Sequence, residues 1–85
     1  MSIANLSYLP VAYGSIAISA AGVDVAAPEV TTTSVIHLSL NTLAGTAPTG
    51  APFVSERTVG TGFKIKAATA GDTSVYNWVV YNRQA

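Results

Sequence analysis

The chain has 85 residues, with four Lys or Arg against four Asp or Glu, one histidine and no cysteine. Charged residues make up 9% of it, against about 25% in an ordinary globular domain. That leaves no basic cluster for nucleic acid, no thiolate for a disulfide or zinc site, and no apolar run of the roughly 18 residues needed to cross a membrane.

This length fits one domain, read here as residues 14–85, preceded by an apolar arm at 1–13. A domain of this size buries only about 60% of the surface exposed when unfolded. With disulfides and a structural metal set aside, packing against other subunits is the expected support, so the chain is read as a homo-oligomer. Near-zero net charge also favours association. The opening residues MSIANLSYLP lack the positive region of a secretory signal, so synthesis in the cytoplasm is expected.

The arm carries Ile3, Leu6, Tyr8, Leu9, Val11 and Tyr13, with Pro10 expected to interrupt any regular element. From Gly14 the apolar period is two. Ile16 and Ile18 alternate with Ser15 and Ser19, and beyond Gly22, Val23 and Val25 alternate with Asp24 and Ala26. Two such runs around a glycine read as a hairpin. Residues 28–33 form a turn, and Ser34–Asn41 is the clearest strand, with Ile36, Leu38 and Leu40 on one face and Val35, His37, Ser39 and Asn41 on the other. Residues 42–52 hold two prolines and two glycines and read as a long loop, a frequent place for contact function.

Phe53–Arg57 is a short strand and Val59–Gly62 a turn. Phe63, Ile65 and Ala67 then alternate with Lys64, Lys66 and Ala68, as in an antiparallel strand with one wet face. After a turn at 69–72, Ser74–Asn82 forms the last strand. Tyr76, Trp78 and Val80 lie on one side and Val75, Asn77, Val79 and Tyr81 on the other, so cover on both faces is expected. Six strands with turns every 8 to 12 or so residues predict an all-β fold, a small antiparallel sandwich or barrel. Ile36, Leu38, Phe63, Ile65 and Trp78 are the expected core anchors.

Catalytic signals are weak. His37 has no second imidazole, no cysteine and no paired carboxylate beside it, which suits a strand histidine better than a metal ligand. A Ser-His-Asp set is formally available, but there is no G-x-S-x-G elbow and little room for a cleft. Gly60-Thr61-Gly62 precedes a strand and reads as a turn rather than a phosphate loop. Glu56 and Arg57 are adjacent on a strand and point to opposite faces, so one of them is expected to meet a partner group within or between subunits. Asp72-Thr73-Ser74 is expected to cap its turn. Tyr8, Tyr13, Phe53 and Tyr81 fit a core, an interface or a sugar-stacking platform. The expected interface set is Leu6, Tyr8, Leu9, Tyr13, Glu56 and Arg57. No enzyme activity and no cofactor are expected.

Three segments together resemble a small β-domain of tailed-phage virion proteins. They are Thr33–Leu40, then Arg57-Thr58, Gly60-Thr61, Phe63 and Ile65, then Asp72-Thr73-Ser74 with Trp78. The resemblance covers residues 33–81, and Val35 stands where the family usually has Arg. It implies a place in the virion, most directly as a capsid decoration or cement protein. Such a protein would be a homo-oligomer, a trimer, bound to the major capsid protein or another virion protein. A tail- or fibre-associated module that docks a host-surface glycan is the alternative, and a self-assembling layer or filament subunit a third reading. Neither nucleic acid nor membrane is an expected partner.

Overall fold

The computed structural model of the protein describes residues 8–83. Six strands follow in chain order: β1 (Tyr8–Ala17), β2 (Val23–Ala26), β3 (Val35–Thr42), β4 (Phe53–Thr58), β5 (Gly62–Lys66) and β6 (Val75–Arg83). They form two antiparallel sheets of three strands. Sheet A has the order β1-β6-β3 and sheet B the order β2-β5-β4. The all-β expectation holds.

Register explains which residues are buried. In sheet A, Gly14, Trp78 and Leu38 stand opposite one another, as do Ala12, Val80 and Ile36. Since alternate side chains point to opposite faces, one set of positions on each strand faces sheet B. The matching row of sheet B is Val23, Ile65 and Val54. The core between the sheets holds Ile18, Val25, Val30, Phe63, Ile65, Trp78 and Val80, with Ile36 and Leu38 half-buried against it. Phe63 and Trp78 join the layers edge to face, with ring centroids 5.5 Å apart and planes at 79°, a favoured aromatic geometry. Gly14 is required by this packing. A methyl group there would sit 2.8 Å from Trp78 Cζ2, so the bare backbone of β1 is what the indole lies against.

Several expectations need correction. Residues 8–13 are not a separate arm, since they form the first half of β1 and pair with β6. Pro10 does not end the strand. β1 lies at the edge of its sheet, where a missing N–H costs no ladder bond, and a bulge between Pro10 and Ala12 absorbs the irregularity. Leu6 and the rest of 1–7 lie outside the described residues. The runs around Gly22 do not make a hairpin, because β1 pairs with β6 and β2 with β5. The chain changes sheet between them, and the crossing is held by Ile18 N–H to the Ser74 carbonyl (2.9 Å) and Ala67 N–H to the Ser19 carbonyl (2.9 Å). A local pattern of period two identifies strands but not their partners.

The outer side of β6 is only half-buried. β6 is the central strand of sheet A and no third layer covers it among the described residues. Leu40 shares the inward face with Ile36 and Leu38, yet it lies at the sheet's end and stays exposed. The molecule is elongated, 49 by 23 by 17 Å, with a radius of gyration of 14.0 Å, against about 12 Å for a compact chain of this length.

Candidate functional site

Loop 42–52 is not a free appendage. Gly45 bridges to Asp72, Thr46 N–H donates to the Gly71 carbonyl (2.9 Å), and Thr73 N–H donates to the Ala44 carbonyl (3.2 Å). The Ala44 N–H donates to Ser74 Oγ (3.1 Å), and Thr49 N–H donates to Thr69 Oγ1 (2.8 Å). Asp72 caps its turn by accepting the Ser74 N–H at Oδ1 (3.0 Å). Its side chain is buried, and Oδ2 has no partner among the described residues. These bonds staple the loop to the β5–β6 turn through the backbone of Ala44, Gly45, Thr46 and Thr49.

Arg57 is likewise engaged within its own chain. Its Nη1 donates to the Thr31 carbonyl (3.1 Å) and the Thr32 carbonyl (3.3 Å), tying the 28–34 turn to β4. Glu56 stands exposed opposite Lys64. Lys64 Nζ approaches Asp24 Oδ1 at 4.0 Å, the one ion pair among the described residues. Asp24, Lys64 and Glu56 therefore form a charged row across the outer face of sheet B. A shallow depression of about 290 Å³ adjoins this row and the backbone of Gly62.

Sheet A's outer face is different. Across its three strands the opposed residues are Tyr13, Val79 and His37 in one row and Ser15, Asn77 and Ser39 in the next. Pro10, Tyr81 and Val35 follow on the far side of the β1 bulge. None of these rows contains an Asp, Glu, Lys or Arg. Tyr13 is 80% exposed and Val35 48%, while Val79 and Tyr81 on the central strand are half-buried. An aromatic ring therefore stands in water beside Val79 and His37, next to a polar strip two residues along each strand.

The polar strip is ordered by its own hydrogen bonds. Thr42 Oγ1 donates to Asn41 Oδ1 (2.8 Å), Asn41 Nδ2 donates to Asn77 Oδ1 (2.9 Å), and Ser15 Oγ donates to the same Asn77 oxygen (2.8 Å). Asn41 sits at the β3 bulge between Leu40 and Thr42. Bulges commonly re-aim a side chain, and here the bulge residue reaches the central strand. The side chains are thus held in place before any ligand arrives.

The sequence singled out Tyr8, Leu9, Tyr13, Glu56 and Arg57 as contact residues. The structure brings Tyr13 together with Tyr81 and His37 on the outer face of sheet A. Tyr8 and Leu9 lie at the exposed end of the β1–β6 ladder, opposite Arg83 and Asn82. Glu56 and Arg57 belong to the other sheet. Phe53 is exposed beside Lys66, also on sheet B. Ile65, Phe63 and Trp78 are in the core, with Ile36 and Leu38 packed against it. Ser15, Asn41 and Asn77 were not singled out. Their alternation was visible in the sequence, but the cross-strand register that joins them was not.

Comparison with protein families adds the remaining observation. Residues 11–81 match the family of the K1 capsule-specific polysaccharide lyase, C-terminal domain. The chain belongs to that family. No curated protein matches the chain significantly, and no solved structure does so. The matched span runs from Val11 at the β1 bulge to Tyr81, so it covers both sheets except the outer ends of β1 and β6, and includes the whole Tyr13–Asn77 surface.

Proposed function

We propose that the chain is a tail- or fibre-associated module of a phage virion that binds a host-surface polysaccharide on the outer face of sheet A, without cleaving it. The observation that carries this reading is Tyr13, an aromatic ring left almost fully in water among rows without a charged side chain, next to the pre-ordered Asn77–Asn41–Ser15 strip. A sugar ring has an apolar face of C–H groups and a rim of hydroxyls. Tyr13 and Val79 offer area to the first, and the amides and hydroxyls offer hydrogen bonds to the second. Family membership supports the same reading, because the named protein acts on a capsule polysaccharide and the matched part is its C-terminal domain. It favours a tail or fibre over capsid decoration, the first expectation from the sequence.

A flat site of this kind holds each sugar unit weakly, and repetition along a polymer and among subunits raises the overall avidity. Assembly with further copies is part of the proposal. It is supported by the apolar residues left exposed at the free edges of sheet A, among them Leu9, Val35 and Leu40. The test is titration of the purified chain with capsule oligosaccharides by calorimetry, beside sedimentation across nanomolar to micromolar concentration. Saturable sugar binding that Tyr13→Ala abolishes supports the reading. Failure to bind any glycan, together with saturable binding to undecorated phage heads, would return the chain to the capsid surface.

A further inference from the structure

We infer that the sheet A face takes an acylated sugar, with the acyl carbonyl oxygen held by Asn77 Nδ2. The inference rests on the glycan-binding reading above and names the chemical group recognised. Asn77 lies at the centre of the face, on the middle strand, between Ser15 and Ser39. Its Oδ1 accepts two hydrogen bonds, from Ser15 Oγ and from Asn41 Nδ2. The Asn41 donor is set by its own neighbour, since Thr42 Oγ1 occupies the Asn41 oxygen and thereby turns the Asn41 nitrogen toward Asn77. The amide oxygen of Asn77 therefore has both acceptor positions engaged, and its nitrogen is the group left for another partner. An NH₂ group donates and does not accept. Asn77 Nδ2 makes no hydrogen bond to another described residue, so the centre of the face presents a donor awaiting an acceptor.

The surroundings decide which acceptor suits it. A carboxylate would have to leave water for a surface that has no Lys or Arg in these rows to balance it, and an uncompensated charge is expensive to desolvate. A sugar hydroxyl can use only its acceptor side at the Asn77 nitrogen, so this group distinguishes it less than it does a carbonyl. A neutral acyl carbonyl accepts without bringing a charge. It also carries a methyl group that needs an apolar seat, and Val75 and Val79 flank Asn77 at the two adjacent same-face positions of β6. These positions stand about 7 Å apart from Asn77 along the strand. Tyr13, opposite Val79, takes the ring that bears the acyl group. Donor, methyl seats and stacking ring fit an N-acetyl or O-acetyl sugar better than its free hydroxyl or anionic counterpart.

The test uses chitotetraose and cellotetraose, which share a backbone and linkage and differ in bearing acetamide or hydroxyl at C2. An O-acetylated capsule polysaccharide, before and after mild alkaline deacetylation, tests the ester form. Binding is read by calorimetry and by the side-chain amide signals of Asn77 in ¹⁵N-labelled protein. The expected result is at least about tenfold tighter binding of an acylated member over its deacylated partner, with the Asn77 NH₂ signals moving on titration. Asn77→Asp keeps an oxygen for Ser15 and Asn41 but turns the presented donor into an acceptor, so the acyl preference should vanish while the fold is unchanged by circular dichroism. Equal binding of acylated and deacylated ligands, or a preference that survives in Asn77→Asp, overturns the acyl assignment and leaves glycan binding standing. Absence of binding by every one of these ligands removes both.

Discussion

On sheet B the outward row across three strands is Asp24, Lys64 and Glu56. On sheet A the comparable row is Tyr13, Val79 and His37. Of the chain's eight charged side chains, Asp24, Glu56, Lys64 and Lys66 stand on sheet B's exterior, and none stands in the central rows of sheet A. A small protein with so few charges needs them where they keep it in solution. Placing four of them on sheet B leaves the central rows of sheet A's exterior uncharged and partly apolar, with Arg83 beyond them at the end of β6. The exposed aromatics are therefore not simply core residues left uncovered by a short chain. The two exteriors have separate chemistry, and only one has rings and ordered amides together.

Substitutions can break that contrast or sharpen it. The largest effect is expected at Gly62, in sheet B. Its φ is +155°, and a Cβ there would overlap the Val25 carbonyl oxygen. Gly62→Ala should destabilise the domain by roughly 3 kcal/mol or more in urea unfolding, although the depression above it belongs to the face assigned no ligand. Gly14→Ala, under Trp78 in sheet A, should cost about 1–3 kcal/mol by overpacking. It should also shift the Trp78 fluorescence, since the indole must move away from β1. A cost below about 0.5 kcal/mol at Gly14 would show that the indole has other room.

Tyr13→Ala should separate the faces most cleanly. The side chain is almost wholly in water, so stability should change by no more than about 0.5 kcal/mol, while glycan affinity should fall about tenfold or more in calorimetry. Equal losses in stability and binding would mean that the ring has a structural duty instead. The smallest effect is expected from Lys64→Ala. Its ion pair with Asp24 is long and exposed, worth under about 1 kcal/mol, and glycan affinity should be unaltered. A sugar-binding defect in Lys64→Ala with Tyr13→Ala intact would exchange the roles of the two sheets.

Much of the fold was legible in the sequence, for a physical reason. Alternation around Ile36, Leu38, Phe63, Ile65 and Trp78 reports burial directly, because a half-buried strand must sort its side chains by parity. Turn residues at 59–62 and 69–72 are set by local backbone conformation and were equally visible. Pairing was not legible between β1 and β2, where the chain leaves one sheet for the other although the spacing suits a hairpin. Pro10 misled for a related reason, since its effect depends on whether the strand has a neighbour on that side. The candidate site was half legible. Tyr13 and Tyr81 could be named as possible sugar platforms, but Asn77 acquires its meaning only from Ser15, 62 positions away, and Asn41, 36 positions away.

The alternation along β6, and along β1 beyond its bulge, also limits how such a domain can change over time. Positions facing the indole and those facing solvent are separate sets on the same strands, so new recognition chemistry can arise at Tyr13, Asn77 or Val79 without disturbing a core contact. A one-residue insertion between Ala12 and Ala17 has no such freedom, since it would turn the solvent set inward. Diversity in the chemistry of this surface should therefore accumulate through replaced side chains at every second position, while the lengths of the strands stay fixed.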